Sequence, residues 1–207
     1  MPDSKVQPIS ENTIAQAMSY SAYRKMINDL LEEGKTTGPK QSNGMTEYTQ
    51  KNVERMNRLD QQTALNSSLK EKLDAIEEPW IWLVLTEGWC GDAAQNIPVL
   101  NKMAEASSQI DLKMILRDEH HAIIDEYLTN GGRSIPKLVC LHADTLEGIG
   151  SWGPRPGDFQ QKAMAWKDDP DLSKKQWDEK LHQWYRDDSS QTIQDDFEQL
   201  IEEWRKV

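Results

Sequence analysis

The stretch Trp80-Ile81-Trp82-Leu83-Val84-Leu85-Thr86-Glu87-Gly88-Trp89-Cys90-Gly91-Asp92-Ala93 decides the fold. Its first part is a short, continuous apolar run, the pattern of a strand buried on both faces. Glu87 to Asp92 then makes a tight turn. From about Asp92 to Ala106 a helix follows, with Ile97, Leu100, Met103 and Ala104 on one side and Pro98 inside it, where a kink is expected. A Cys at such a strand-to-helix turn sits where unpaired backbone N–H groups and the helix dipole favour an anion, so a thiolate at Cys90 is favoured. Against this, Cys is among the residues most often buried, and beside a Trp it is equally at home as inert packing.

Downstream, Ile110 to Leu116 reads as a second strand, and Ala122 to Leu128 as a helix closed by Asn130-Gly131-Gly132. These units form a βαβ crossover, so the first two strands should be parallel. A third strand opens with a proline in Ser134-Ile135-Pro136-Lys137-Leu138-Val139-Cys140-Leu141, and Leu146 to Trp152 should return antiparallel after a turn at Ala143-Asp144. The expected sheet is mixed and about four-stranded. Beyond it, Trp177, Leu181 and Trp184 share one helical face, and Ile193, Phe197, Leu200, Ile201 and Trp204 another.

Upstream of the strand the chain reads as helical. Residues 12–33 form an amphipathic helix that Asn12 could cap and Gly34 could close. Residues 35–44 form a loop, Val53, Met56 and Leu59 mark a second helix, and Ser67 or Ser68 caps a short third one that ends before Pro79. At 207 residues one compact domain is expected, with residues 1–78 as a helical extension, 79–166 as the α/β core and 167–207 as C-terminal helices.

Trp89-Cys90-Gly91, followed by Pro98 eight residues beyond the Cys, resembles the Trp-Cys-Gly-Pro-Cys junction of the thioredoxin superfamily. Arg133-Ser134-Ile135-Pro136-Lys137-Leu138 independently resembles that family's Arg-Gly-Ile-Pro-Thr-Leu, whose cis-proline packs against the active thiol. Together with the β-α-β-α-β-β order, these motifs imply a thioredoxin-like core. More narrowly, the chain is similar to bacterial members with the altered motif Trp-Cys-Gly-Asp-Ala. Two departures qualify the resemblance: Ala93 replaces the second thiol, and the family's buried carboxylate, six residues before the first Cys, falls on Val84. The resemblance then implies single-thiol exchange, with Cys90 as nucleophile, Asp92 tuning it, and Trp89, Gly91, Ile135 and Pro136 docking a thiol or disulfide substrate. The rival implication is a non-enzymatic module that uses the cis-proline groove. A peroxidase is disfavoured because Glu87, not Thr, stands three residues before Cys90.

Several residues receive plainer readings. Asp92 is expected mainly to cap and stabilise its helix, and Glu87 to be a solvated turn residue. Cys140 reads as core, since it lies on the order of 13 Å along the strand from Pro136 while bridged Cα atoms lie within about 7 Å. The adjacent pair His120-His121 has poor geometry for a metal, and Arg117-Asp118-Glu119 reads as a charged loop. Arg155 could meet a carboxylate ligand.

A net charge of −11 argues against nucleic acid and anionic membranes as partners. The polar opening residues and the lack of a long apolar run point to a cytoplasmic protein. Two Cys are too few for a disulfide framework or a four-thiolate zinc site, and no cofactor or metal is expected. Oligomeric state is not legible.

Overall fold

The computed structural model describes residues 9–207; the opening residues 1–8, whose polarity entered the sequence reading, lie outside them. In chain order the elements are α1 (Glu11–Gln16), α2 (Tyr20–Glu32), α3 (Asn43–Gln62), α4 (Ser67–Asp74), β1 (Trp80–Thr86), α5 (Gly91–Glu105), β2 (Ile110–Leu116), α6 (His121–Ile124), β3 (Lys137–His142), β4 (Gly148–Trp152), α7 (Gly157–Lys167), α8 (Lys174–Asp188) and α9 (Gln191–Trp204). The sheet runs β2-β1-β3-β4, with β1 and β2 parallel and the other pairs antiparallel. This is the mixed α/β core expected from the sequence. No helix among the described residues is long and apolar enough to cross a membrane.

The boundaries differ from expectation where tertiary contacts outweigh local pattern. The helix expected over 12–33 is two helices. Ser10, not Asn12, caps the first by accepting the Thr13 N–H, and the chain breaks at Ala17–Ser19. There Met18 exchanges two backbone hydrogen bonds, 2.9 and 2.8 Å, with Met114 on the outer side of β2. The break thus pairs part of an otherwise open sheet edge. Asn66, rather than Ser67 or Ser68, occupies the N-cap position of α4.

The helix expected over 122–128 shrinks to α6, flanked by 3₁₀ turns at Arg117–Glu119 and Asp125–Tyr127. A tight turn follows instead of a helix cap. Thr129 and Gly132 exchange two backbone bonds, and Asn130 and Gly131 take φ of 50° and 74°, the left-handed pair such turns require. The 35–44 loop is anchored: Thr36 Oγ1 lies 2.6 Å from Thr49 Oγ1, and the Gly88 N–H donates to Thr37 Oγ1 at 2.9 Å. Helix α7 occupies a stretch to which the pattern assigned no element.

Every residue of β1 is buried, so both sheet faces need cover. One face carries Trp82, which pairs with Cys140, which in turn pairs with Gly150. Against this row α9 lays Phe197 and Trp204, with ring centroids 5.0 and 6.5 Å from Trp82. A Cβ at Gly150 would stand 2.1 Å from Trp204 Nε1, so only a glycine admits that indole. Cys140, fully buried in the same row, is core, as the sequence suggested. A second cluster lies between α7 and α8: Phe159, Ala163, Leu181 and Tyr185 with Trp166, Trp177 and Trp184 around them. Phe159 stacks on Trp184 at 3.6 Å. The tail tryptophans therefore pack, as their spacing implied.

Truncating Phe197, fully buried between Trp82 and Trp152, should open a cavity that the stiff surrounding indoles cannot collapse into. Phe197→Ala should lose about 3–5 kcal/mol in urea unfolding.

Candidate functional site

Cys90 is itself the N-cap of α5: its Sγ accepts the Ala93 N–H at 3.4 Å, and its S–H donates to the Ile135 carbonyl at 3.3 Å. At 8% exposure the thiol is nearly enclosed. Burial first, then the Asp92 carboxylate, push its pKa up to about 12, against the weaker pull of the Ala93 N–H. The thiolate expected from the helix N-terminus is thus not the resting state. Desolvation outweighs the dipole here, because the strand, the cis-proline segment and the helix close around the sulfur.

Asp92 stands in the first turn of α5, where its charge favours the helix dipole as expected, but the N-cap position itself is filled by Cys90 Sγ. Its carboxylate instead receives Arg155 Nε and Nη2 at 2.8 and 2.6 Å and the Tyr185 hydroxyl at 2.9 Å. Asn96 Nδ2 donates to Tyr185 Oη at 3.0 Å and to the Asp92 carbonyl at 2.8 Å. Arg155, read from sequence as able to meet a carboxylate ligand, meets a carboxylate of its own chain. The pair is largely desolvated, with side chains 11% and 12% exposed.

Trp89 is half-buried, and the Arg117 guanidinium sits 4.9 Å from its ring centroid. Arg117 also donates two bonds to Asp118, whose N–H donates to Glu87 Oε1 at 2.9 Å. The charged loop after β2 is thereby tied to the motif. Glu87, expected to be solvated, is fully buried, and its Oε2 has no hydrogen-bond partner among the described residues. Burial raises its pKa. The reason is the 35–44 loop, which folds back over the turn: a Cβ at Gly38 would stand 2.8 Å from Asp118 Oδ2 and 3.4 Å from Trp89 Nε1.

The Ile135–Pro136 peptide is cis, and both residues are buried. The Gly153–Pro154 peptide is also cis, and Gly153, at φ +113°, approaches so closely that a Cβ would lie 2.2 Å from the Pro136 carbonyl oxygen. The predicted site residues therefore assemble: Trp89, Cys90, Gly91 and Asp92 line one cleft, while Ile135 joins them through its carbonyl and Pro136 follows it, both outside the cleft wall. His120 Nδ1 donates to the Leu116 carbonyl at 2.9 Å, and His121 is exposed. Among the described residues no cluster of three or more His, Cys, Asp or Glu could hold a metal.

The cleft, of about 750 Å³, lies between α3 and α8 over the start of α5. Met45, Trp89, Trp177 and Leu181 give it apolar walls, and Cys90 stands at its base beside Asp92. Sequence reasoning missed Tyr48 and Asp178 in its wall and the His182 and Gln95 side chains bonded to them. Gln95 Nε2 donates to His182 Nδ1 at 3.2 Å, His182 Nε2 then donates to Tyr48 Oη at 2.9 Å, and Tyr48 donates to Asp178 at 2.8 Å. Burial of Asp178 is outweighed by His182, whose Nε2 stands 3.5 Å from its Oδ1, and by the hydrogen bond from Tyr48, which hold its carboxyl below the usual range. Gly91 makes this possible, since a Cβ there would stand 2.8 Å from Tyr48 Oη and 3.0 Å from His182 Cε1. The i, i+4 spacing of Asp178 and His182 was a readable signal. Tyr48, in a helix far away in sequence, gave none.

Two outcomes test these assignments. Because Glu87 has a raised pKa in the fold, its ionised form costs stability above that pKa, and protonation removes the cost as pH falls. Glu87→Gln should therefore gain stability relative to the parent at pH 7.5, with the difference closing toward pH 4, as read by urea midpoints. Arg155→Met strands the buried Asp92 carboxylate and should lose about 3–5 kcal/mol in the same assay.

A family model described as thioredoxin matches residues 38–169, so the match begins within α3's approach and not at the strand. No curated protein matches the chain. Two solved structures share the fold. One is a protein of unknown function from Pseudomonas aeruginosa, 20% identical, covering 89% of this chain and 98% of its own with a TM-score of 0.55. The other is an HIV epitope-scaffold, 20% identical over the same shares with a TM-score of 0.53. With the motif turn, the cis-proline and the sheet order all in place over a match of more than half its length, this chain belongs to the thioredoxin family.

Proposed function

We propose that this chain is a thioredoxin-fold binding module whose cleft between α3 and α8 receives an apolar or aromatic group, with Cys90 in the wall as a neutral thiol. The observation that carries the reading is the state of that thiol: enclosed, hydrogen-bonded to the Ile135 carbonyl, and raised to about 12 in pKa. At pH 7 the thiolate fraction is then roughly 10⁻⁵. A cleft of about 750 Å³ with apolar walls and a few fixed polar groups suits a small molecule or a peptide side chain. Two free, buried thiols accord with a reducing compartment, and we take the cytoplasm as the place of action. Net charge of −11 sets the partner apart from nucleic acid and anionic lipid.

Single-thiol exchange is the second reading, favoured by the position of Cys90 in the cleft wall with the Ala93 N–H directed at Sγ. In it a Cys90 thiolate attacks a disulfide, forms a mixed disulfide and releases one thiolate; an external thiol then frees the second half and restores Cys90. That cycle requires an opening that lowers the thiol pKa.

Alkylation of Cys90 with iodoacetamide, in a Cys140→Ser background, separates the two. The binding reading expects a native rate at pH 7.5 roughly 10³-fold below that of the unfolded chain, following the thiolate ratio. A fast native reaction with an apparent pKa below the ordinary thiol value would sink it and leave thiol exchange in its place.

A further inference from the structure

Lys137 follows the cis-proline in β3 and is only 7% exposed, yet no carboxylate pairs with it among the described residues. Its ammonium carries three donors and gives one, to the Gly153 carbonyl at 3.0 Å. Burial disfavours that charge and lowers its pKa. A buried cation held by one neutral acceptor is unusual, because desolvation is ordinarily offset by a counter-charge or a full set of hydrogen bonds.

The side chain stands in the wall of a second cleft, of about 460 Å³, bounded by β4 and by residues of α7 and α9. Thr129 lines the same cleft, and its enclosed hydroxyl has no partner among the described residues. Arg155 also reaches this wall, but its guanidinium is engaged by Asp92 and by Gln160. Asp196 Oδ2 accepts from Trp152 Nε1 and the Gly157 N–H, and no ion pair joins this carboxylate to Lys137 among the described residues. The cleft thus holds one unmatched cation and one unmatched hydroxyl, beside apolar surface from Trp152 and Leu200.

We propose that this second cleft binds the carboxylate of a small monoanionic organic molecule, with Lys137 as counter-charge, Thr129 as a second donor, and Trp152 with Leu200 against its apolar body. A carboxylate is favoured over a phosphate because Asp196 and Glu203 stand in the same wall, and a second negative charge would be repelled by both. The cleft is distinct from the one at Cys90, although the Asp92–Arg155 pair contributes one residue to each wall.

The test is thermal unfolding of the full chain with propionate or inorganic phosphate as probe, chloride holding ionic strength constant. Propionate at ten times its Kd should raise the wild-type Tm by roughly 3 °C. The rise should vanish in Lys137→Met and persist at least in part in Lys137→Arg. No rise in wild type, or an equal rise in Lys137→Met, overturns the site; a larger rise with phosphate overturns the choice of ligand. If Lys137→Met does not fold, amide shifts of the wild-type protein during propionate titration decide. Changes centred on Lys137 and Thr129 support the site, and changes centred elsewhere refute it.

Discussion

The burial of β1 on both faces is the constraint on which the remaining architecture depends. A seven-residue strand with no exposed side chain, paired on both sides, cannot be stable until two layers of other residues cover it. Helix α5, the N-terminal helices and α9 answer that need. On the face of Trp82 the cover is an aromatic cluster of Phe197 and Trp204 that exists only because Gly150 leaves room for Trp204. The terminal helices are thus part of the core and not appendages to it.

The same logic bears on the ionisation of the motif thiol. In an open fold, a Cys at the start of a helix gains a stabilised thiolate from the dipole. Here the helices that cover the sheet also fold over its carboxyl end, and α8 brings Tyr185 and His182 against the motif helix. Desolvation then dominates the sulfur's ionisation, and the nearby positive charge of Arg155 is already neutralised by Asp92. The cap over the site has its own small aromatic core between α7 and α8, and joins the motif helix largely through polar contacts.

Much of the fold was legible because its signals are local or nearly so: an apolar run, a turn with Trp-Cys-Gly, an Ile-Pro before a strand, and helical stripes in both flanks. Where pattern failed, a long-range contact had decided. Met18 breaks a helix because an open sheet edge lies beside it, and Glu87 is buried because the 35–44 loop crosses above it. Thr37, in that loop, reads as ordinary polar sequence but holds the Gly88 N–H.

The sequence by itself determined the core, the place of Cys90, the loss of a second thiol at Ala93 and the structural role of Cys140. The core and the place of Cys90 follow from residue type, spacing and periodicity along neighbouring positions, and the missing thiol at Ala93 from the resemblance to the thioredoxin motif. Only the tertiary structure decided the ionisation of Cys90, the pairing of Asp92 with Arg155, and the assembly of Tyr48, Asp178 and His182 at the cleft. The physical reason is that solvation and hydrogen bonding depend on which distant segments meet. A charge's energy is set by what surrounds it in space, and the order of residues does not carry that information locally.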